Sequence, residues 1–274
     1  MINEITLNIT ELCNLKCGFC PRSTWYPNQN LNMSSDTIHA ICNQILKLPN
    51  FKDFITNGSL RIIGRGEPTL HPEFDKIIEI ISSYNIDNIV LYTNGIKLKK
   101  IKHISHKIKQ IRWAVYSDND ADFIEAISEI KTYNSKNKLV FMKPDNEKEG
   151  GTVRHYFING TLFLNSNYPF LDNRAGSIEN PIYEKHFNYK HATYHDGKKC
   201  YYIDNKIYID WNGNYNLCCN DWSGRVLGNI FKEDIISYYE KNNILKKYKE
   251  GIKNKKPLNP CKSCSILTCI RNNV

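Results

Sequence analysis

Three cysteines, Cys13, Cys17 and Cys20, stand in the spacing C-x3-C-x2-C just past the apolar-polar alternation of Ile5, Leu7 and Ile9. Thiolates so placed hold iron-sulfur clusters. Three ligands leave one iron of a four-iron cluster without a protein thiolate, and that iron can take a small chelating molecule. Zinc is the alternative, but structural zinc wants four ligands and more often uses paired C-x2-C knuckles. More cysteines gather near the other end: Cys200, the adjacent Cys218 and Cys219, Cys261-x2-Cys264, and Cys269.

The chain has 274 residues, ten of them cysteine, and a formal net charge of +9. That length holds one sizeable domain and a smaller one. No apolar run follows a basic stretch at the N-terminus, and no segment reaches the roughly 18 apolar residues of a membrane span. Many cysteines without a secretory signal read as metal ligands in a reducing cytoplasm. The lysines concentrate at Lys97 to Lys109 and at Lys246 to Lys256, as on solvated helix faces. They lack the interleaved aromatics of a nucleic-acid platform, so nucleic acid is not an expected partner.

Strands and helices must position these thiols. Residues 3–9 read as a strand. Residues 34–48 read as a helix capped by Ser34 or Ser35, with Ile38, Ile41, Cys42, Ile45 and Leu46 on one face. Cys42 is then plain core. Leu60–Ile63 is a strand, Pro72–Tyr84 a helix, and Ile89–Tyr92 a strand ending at Thr93-Asn94-Gly95. Ile111–Tyr116, a helix from Asp120 to Tyr133, and Leu139–Met142 continue the alternation. Such alternation implies a parallel sheet, with chemistry at the C-terminal ends of its strands. Residues 143–200 carry Gly150-Gly151, Pro169, Gly176 and Pro181 and read mostly as loop. Beyond them, Ile207–Asp210 and an Asn212-Gly213 turn form a hairpin whose return strand ends in Cys218-Cys219, followed by one helix over Lys232–Glu250.

The cysteine spacing resembles the cluster loop of the radical S-adenosylmethionine (radical SAM) superfamily. Gly64-Arg65-Gly66-Glu67-Pro68, at the end of the second strand, resembles that family's glycine-glycine-glutamate motif, with Arg65 in place of the middle glycine. The resemblance implies an α/β fold, a partial (β/α)6 TIM-like barrel, over residues 1–165, and a 4Fe-4S cluster on Cys13, Cys17 and Cys20. It also implies SAM bound by Phe19, Gly66, Glu67, Asn94 and Ser117. Cys200, Gly213, Cys218 and Cys261-x2-Cys264 resemble the SPASM/twitch extension. That likeness implies a second 4Fe-4S cluster on Cys200, Cys218, Cys261 and Cys264 in a small C-terminal iron-sulfur (twitch) domain at 200–274, after a connecting segment at 166–199.

Within the superfamily the chain is similar to the twitch-type 2-deoxy-scyllo-inosamine dehydrogenases of aminocyclitol biosynthesis. The likeness runs through Tyr92-Thr93-Asn94-Gly95, Asn173-Arg174-x-Gly176 and Leu227-Gly228-Asn229-Ile230. It implies SAM cleavage, hydrogen abstraction and oxidation of a secondary alcohol on a small polar substrate, with Arg174 aiding deprotonation and a flavodoxin- or ferredoxin-type reductant. Cys219 departs from the pattern, where those dehydrogenases carry an aromatic residue. It adjoins Cys218 on the return strand, so its side chain is expected to point to the opposite face of that strand. A thiol facing substrate would return a hydrogen atom and make an epimerase of a sugar or peptide centre; the alternatives are a spare ligand or a buried small residue. Asn220 and Asp221 follow it as candidate contacts for polar substrate groups. A non-catalytic metal-cluster module is the reading from another class.

Overall fold

The computed structural model describes residues 1–16, 20–23, 25–114, 138–144, 153–158 and 200–264. Nine strands form one sheet, ordered β6-β5-β4-β3-β2-β1-β7-β8-β9. They are β1 Glu4–Leu7, β2 Ser59–Ile62, β3 Ile89–Thr93, β4 Gln110–Ala114, β5 Lys138–Pro144, β6 Val153–Ile158, β7 Lys206–Ile209, β8 Asn214–Asn216 and β9 Val226–Asn229. Strands β1 to β5 pair in parallel, and β7 joins the far side of β1, also in parallel. These six parallel strands make the partial barrel; β6, β8 and β9 run antiparallel at its two edges. The C-terminal segment therefore continues the barrel's own sheet.

Alternation along the strands decides what faces where. Ile5 and Leu7 on β1, Leu60 and Ile62 on β2, Leu91 on β3, Ile111 on β4 and Ile209 on β7 are all at most 1% exposed. They belong to one core with helix α1 (Ser35–Ile45) and helix α3 (Phe74–Ser83), which pack against each other. Ser34 caps α1, its hydroxyl accepting from the Thr37 amide at 3.2 Å, and Ile38, Ile41, Cys42 and Ile45 form the buried stripe. Phe74, Ile77, Ile78 and Ile81 do the same for α3. A short helix α2 (Phe51–Asn57), absent from the sequence reading, tucks Phe54 into this core.

Two expectations need correction. Strand β6 lies in the stretch read as loop; Val-Arg-His-Tyr-Phe-Ile is a good strand sequence, and Gly150-Gly151 beside it masked the signal. The single C-terminal helix is two, α5 (Ile235–Lys241) and α6 (Asn243–Lys253), after the short α4 (Tyr201–Asn205). Asn242 causes the break. Its side-chain oxygen accepts from the amides of Ile244 and Leu245, capping α6, while its Nδ2 donates to the Leu227 carbonyl on β9 at 2.8 Å. The helix expected at 120–133 lies outside the described residues. No helix among the described residues is long and apolar enough to cross a membrane.

Candidate active site

The inner face of the sheet is polar. Glu4, Thr6 and Asn8 follow the line of β1, Arg61 lies on β2, Tyr92 on β3, Arg112 on β4, and Lys206 and Tyr208 on β7. Complete (β/α) barrels fill this space with branched apolar residues. Here ion pairs and hydrogen bonds run across it. Lys206 Nζ meets Glu4 Oε1 at 2.7 Å, and Arg61 Nη2 meets Glu4 Oε2 at 2.7 Å. Arg112 Nη1 donates to the Tyr92 hydroxyl at 2.6 Å. A lining of this kind suits a polar guest.

The cysteine loop sits past the C-terminal end of β1. Cys13 lines a cavity of about 470 Å³ together with Asn14, Lys16, Arg22, Trp25 and Asn28. Asn28 clamps Cys13 from both sides: its Oδ1 accepts from the Cys13 amide at 2.9 Å and its Nδ2 donates to the Cys13 carbonyl at 3.0 Å. Burial raises the Cys13 thiol above its usual pKa, and Cys20 lies near enough to raise it further. A bound cation would reverse that preference, because it stabilises the thiolate. Cys17 and Phe19 lie outside the described residues.

Beneath the loop is a buried charge cluster that the motif reading missed. Glu11 is 1% exposed. Its carboxylate meets Arg22 Nη2 at 3.1 Å and Arg65 Nη1 at 3.8 Å, and accepts from Asn8 Nδ2 at 2.6 Å. Burial pushes the Glu11 carboxyl up, and Arg65, Arg22 and Asn8 oppose it, so its charge is held by these partners. Arg22 also donates to the carbonyls of Glu11, Pro27 and Arg65 and to Asn28 Oδ1. Arg65, the departure from the glycine motif, reaches further: Nη1 donates to the Tyr26 hydroxyl at 3.1 Å and Nη2 to the Asp221 carbonyl at 2.9 Å. Its guanidinium faces the Tyr26 and Trp222 rings. The only sequence signal for this cluster was the arginine standing where a glycine was expected.

Gly66 and Glu67 follow. A Cβ on Gly66 would lie 2.2 Å from the Thr10 carbonyl oxygen and 2.5 Å from that of Leu12. Glycine is required there because two backbones touch just before Cys13. Gly66→Ala is therefore expected to cost about 1–3 kcal/mol and to displace the cysteine loop. Urea denaturation together with iron content after reconstitution checks both effects; a variant as stable as wild type and fully loaded contradicts the close approach.

Glu67 is 3% exposed. Its Oε1 accepts from the Thr69 amide (3.1 Å), the Thr69 hydroxyl (2.6 Å) and the Thr93 hydroxyl (2.6 Å), and Oε2 accepts from the Asn94 amide at 2.7 Å. The carboxylate thus ties the end of β2 to the end of β3 and keeps acceptor capacity on Oε2. Asn94 Nδ2 donates to Asn14 Oδ1 in the cysteine loop at 2.8 Å, so the Thr93-Asn94 turn abuts that loop.

The second group of thiols comes from three separated segments. Cys200 precedes α4, Cys218 follows β8, and Cys261 and Cys264 follow α6. Cys200, Cys261 and Cys264 are buried and Cys218 partly so. Burial raises Cys218 well above the usual thiol pKa, and the neighbouring Cys219, Cys264, Cys261 and Cys200 add to it. Cys261 is raised by burial and then by Cys200 and Cys264. The four thiols therefore lie within electrostatic range of one another. No three metal-binding side chains among the described residues draw close enough to hold a single ion. The donor set is all thiolate, and a four-iron cluster accepts a wider cage than the Zn–S distance of about 2.3 Å allows.

Cys219 is not on a strand. Strand β8 stops at Asn216, and Cys218-Cys219 lead into a turn closed by the Asp221 amide donating to the Cys218 carbonyl at 3.2 Å. The strand-alternation argument for its direction does not apply. Cys219 nonetheless lines a small cavity with Thr6, Lys206 and Tyr208, within electrostatic range of Tyr92. Asp221 Oδ1 accepts from the amide and hydroxyl of Ser223, at 3.0 and 2.6 Å. Arg174, Ser117 and Cys269 lie outside the described residues.

Residues 200–265 match the SPASM model, an iron-sulfur cluster-binding domain. Over 99 residues the chain is 36% identical to a probable GTP 3',8-cyclase of Methanococcus maripaludis, covering 36% of this chain and 31% of the relative. With the GTP 3',8-cyclase of Haemophilus ducreyi it shares 30% identity over 105 residues, 38% of this chain and 29% of the relative. The chain thus carries a SPASM match in its C-terminal part and is similar to radical SAM proteins that have such a domain. The matched stretch spans about a third of these curated relatives. Among solved structures, BtrN in complex with AdoMet and 2-DOIA superposes with a TM-score of 0.68 at 18% identity, covering 97% of this chain and 93% of BtrN. Native anSMEcpe with bound AdoMet superposes at 0.53 and 17% identity, covering 96% and 86%. At such identities the likeness establishes the fold: a TIM-like barrel whose sheet is extended by the strands of the SPASM-matching segment.

Proposed function

We propose that this chain is a radical SAM enzyme that abstracts a hydrogen atom from a small polar substrate and oxidises a secondary alcohol of a sugar- or cyclitol-like molecule. The observation that carries the reading is the placement of the cysteine loop, the Gly66-Glu67 turn and the Thr93-Asn94 turn together above a polar inner face. When bound, a 4Fe-4S cluster and SAM would supply a reducing electron and a 5'-deoxyadenosyl radical. Cys13, Cys17 and Cys20 would hold that cluster, with Asn28 fixing Cys13. Glu67 Oε2 offers an acceptor to an ammonium group, and Phe19, Gly66, Asn94 and Ser117 complete the proposed SAM contacts. Cys200, Cys218, Cys261 and Cys264 would hold the second cluster. Arg174 would lower the pKa of the substrate hydroxyl as the alcohol loses its proton. The second electron would be accepted by the second cluster when bound on the SPASM thiols, and a flavodoxin- or ferredoxin-type reductant in the cytoplasm would supply the first cluster. The division at 1–165, 166–199 and 200–274 is part of this proposal.

Anaerobic reconstitution with reductant and SAM tests the reading: the protein should release 5'-deoxyadenosine. Release of none by fully loaded protein rejects it in favour of a cluster-binding module.

The position of Cys219 in a small cavity lined also by Thr6, Lys206 and Tyr208 favours a second reading, epimerisation of a sugar or peptide centre. The thiol returns a hydrogen atom to the substrate radical, and the resulting thiyl takes one electron from the reductant and one proton from solvent. Cys219→Ala is then expected to abolish product formation while 5'-deoxyadenosine release continues, and wild-type product made in D2O carries deuterium at the inverted centre. Under the oxidation reading, Cys219→Ala still forms ketone. Mass spectrometry of the product separates the two.

A further inference from the structure

Among the described residues, the charges on the inner face do not balance. On strands β1, β2, β4 and β7, Arg61, Arg112 and Lys206 face one carboxylate, that of Glu4, which is already shared between Arg61 and Lys206 at 2.7 Å each. Arg112 has only neutral partners among the described residues: Nε donates to Gln110 Oε1 at 3.1 Å and Nη1 to the Tyr92 hydroxyl at 2.6 Å. Arg61 and Arg112 approach the same aromatic ring, with guanidinium carbons 5.7 and 5.0 Å from the Tyr92 centroid. Two cations converging on one half-buried ring repel each other. A cation–π contact contributes about 0.5–2 kcal/mol and does not neutralise charge.

An anion would resolve the imbalance. A guanidinium offers a planar fork matched to carboxylate or phosphate oxygens. The Tyr92 hydroxyl accepts from Arg112, so its own proton is available to the same anion. Arg112 is partly exposed and mid-strand on the inner face, in register with Tyr92. We propose that Arg112, Arg61 and the Tyr92 hydroxyl form a binding site for an anionic group, phosphate or carboxylate, on the substrate. The proposal rests on the inner face being the substrate chamber. It narrows the substrate to an acidic one, such as a sugar phosphate or a sugar acid, and disfavours a purely neutral or cationic polyol.

The test uses the full-length protein at low ionic strength without SAM or reductant, titrated with inorganic phosphate and, separately, acetate by calorimetry. Saturable binding of phosphate, acetate or both is expected, and the preferred anion names the group. Arg112→Gln should weaken that binding about tenfold or more, the loss of one charged hydrogen bond. Arg112→Lys, which retains the charge, and Tyr92→Phe, which retains Arg112, should weaken it less, and circular dichroism verifies that each variant is folded. No saturable binding of either anion, or binding unchanged in Arg112→Gln, overturns the proposal. Because no turnover is involved, anion binding without 5'-deoxyadenosine release in the separate assay counts against the enzymatic reading alone, and the converse counts against the anion site alone.

Discussion

Glu11→Ala is expected to destabilise the protein by about 3–5 kcal/mol, the usual consequence of removing one partner from a buried ion pair. Two guanidiniums depend on that carboxylate, at 3.1 and 3.8 Å, and both are buried. Glu11→Gln should cost less, since an amide oxygen still accepts hydrogen bonds, but both arginines would remain without a counter-charge. The effect should extend beyond stability. Arg22 also holds Pro27 and Asn28, and Asn28 clamps Cys13, so freeing Arg22 loosens the thiol loop from below. Urea denaturation followed by circular dichroism measures the first effect, and iron retained after gel filtration measures the second. A loss well under about 1 kcal/mol would place the cluster among ordinary surface pairs and remove this account of the loop's rigidity.

The thiol substitutions have the largest expected consequence for activity. Under the proposed assignment of each loop thiolate as a cluster ligand, changing Cys13, Cys17 or Cys20 to alanine should abolish 5'-deoxyadenosine release and remove about four of roughly eight irons per chain. Cys261→Ala should also remove about half the iron, yet leave SAM cleavage measurable, since the proposal places the second cluster on Cys200, Cys218, Cys261 and Cys264 alone. Iron and sulfide analysis with electron paramagnetic resonance of the reduced variants reads both effects. Equal loss of SAM cleavage in the two classes would mean that the sites do not operate separately. Full iron content in Cys261→Ala would remove that residue from the ligand set.

The alternation of strands and helices through residue 114 was legible in the sequence because each element carries its own period. Ile38, Ile41, Cys42 and Ile45 repeat as a helix, and Leu60 and Ile62 alternate as a strand. Breaks caused by side chains acting on distant backbone were not legible. Asn242 splits a helix because it bonds the Leu227 carbonyl as well as its own following amides. Cys219 leaves the strand because β8 ends at Asn216, where the ladder to β9 is bulged. The glycine of the SAM motif was visible at position 66, while its reason, contact with the Thr10 and Leu12 carbonyls, was not.

Thiol spacing and hydrophobic period are local properties, set by residues a few positions apart, and they were enough to name three loop cysteines, a parallel barrel and a second set of thiols. Which charges meet is a non-local property. Glu11 and Arg65 are far apart in the chain, as are Glu4 and Lys206, and only the register of β2, β1 and β7 brings them together. The polar interior, the surplus of positive charge among its described residues and the buried support beneath Cys13 were therefore decided by the tertiary structure, because burial and Coulomb interaction depend on distance in space.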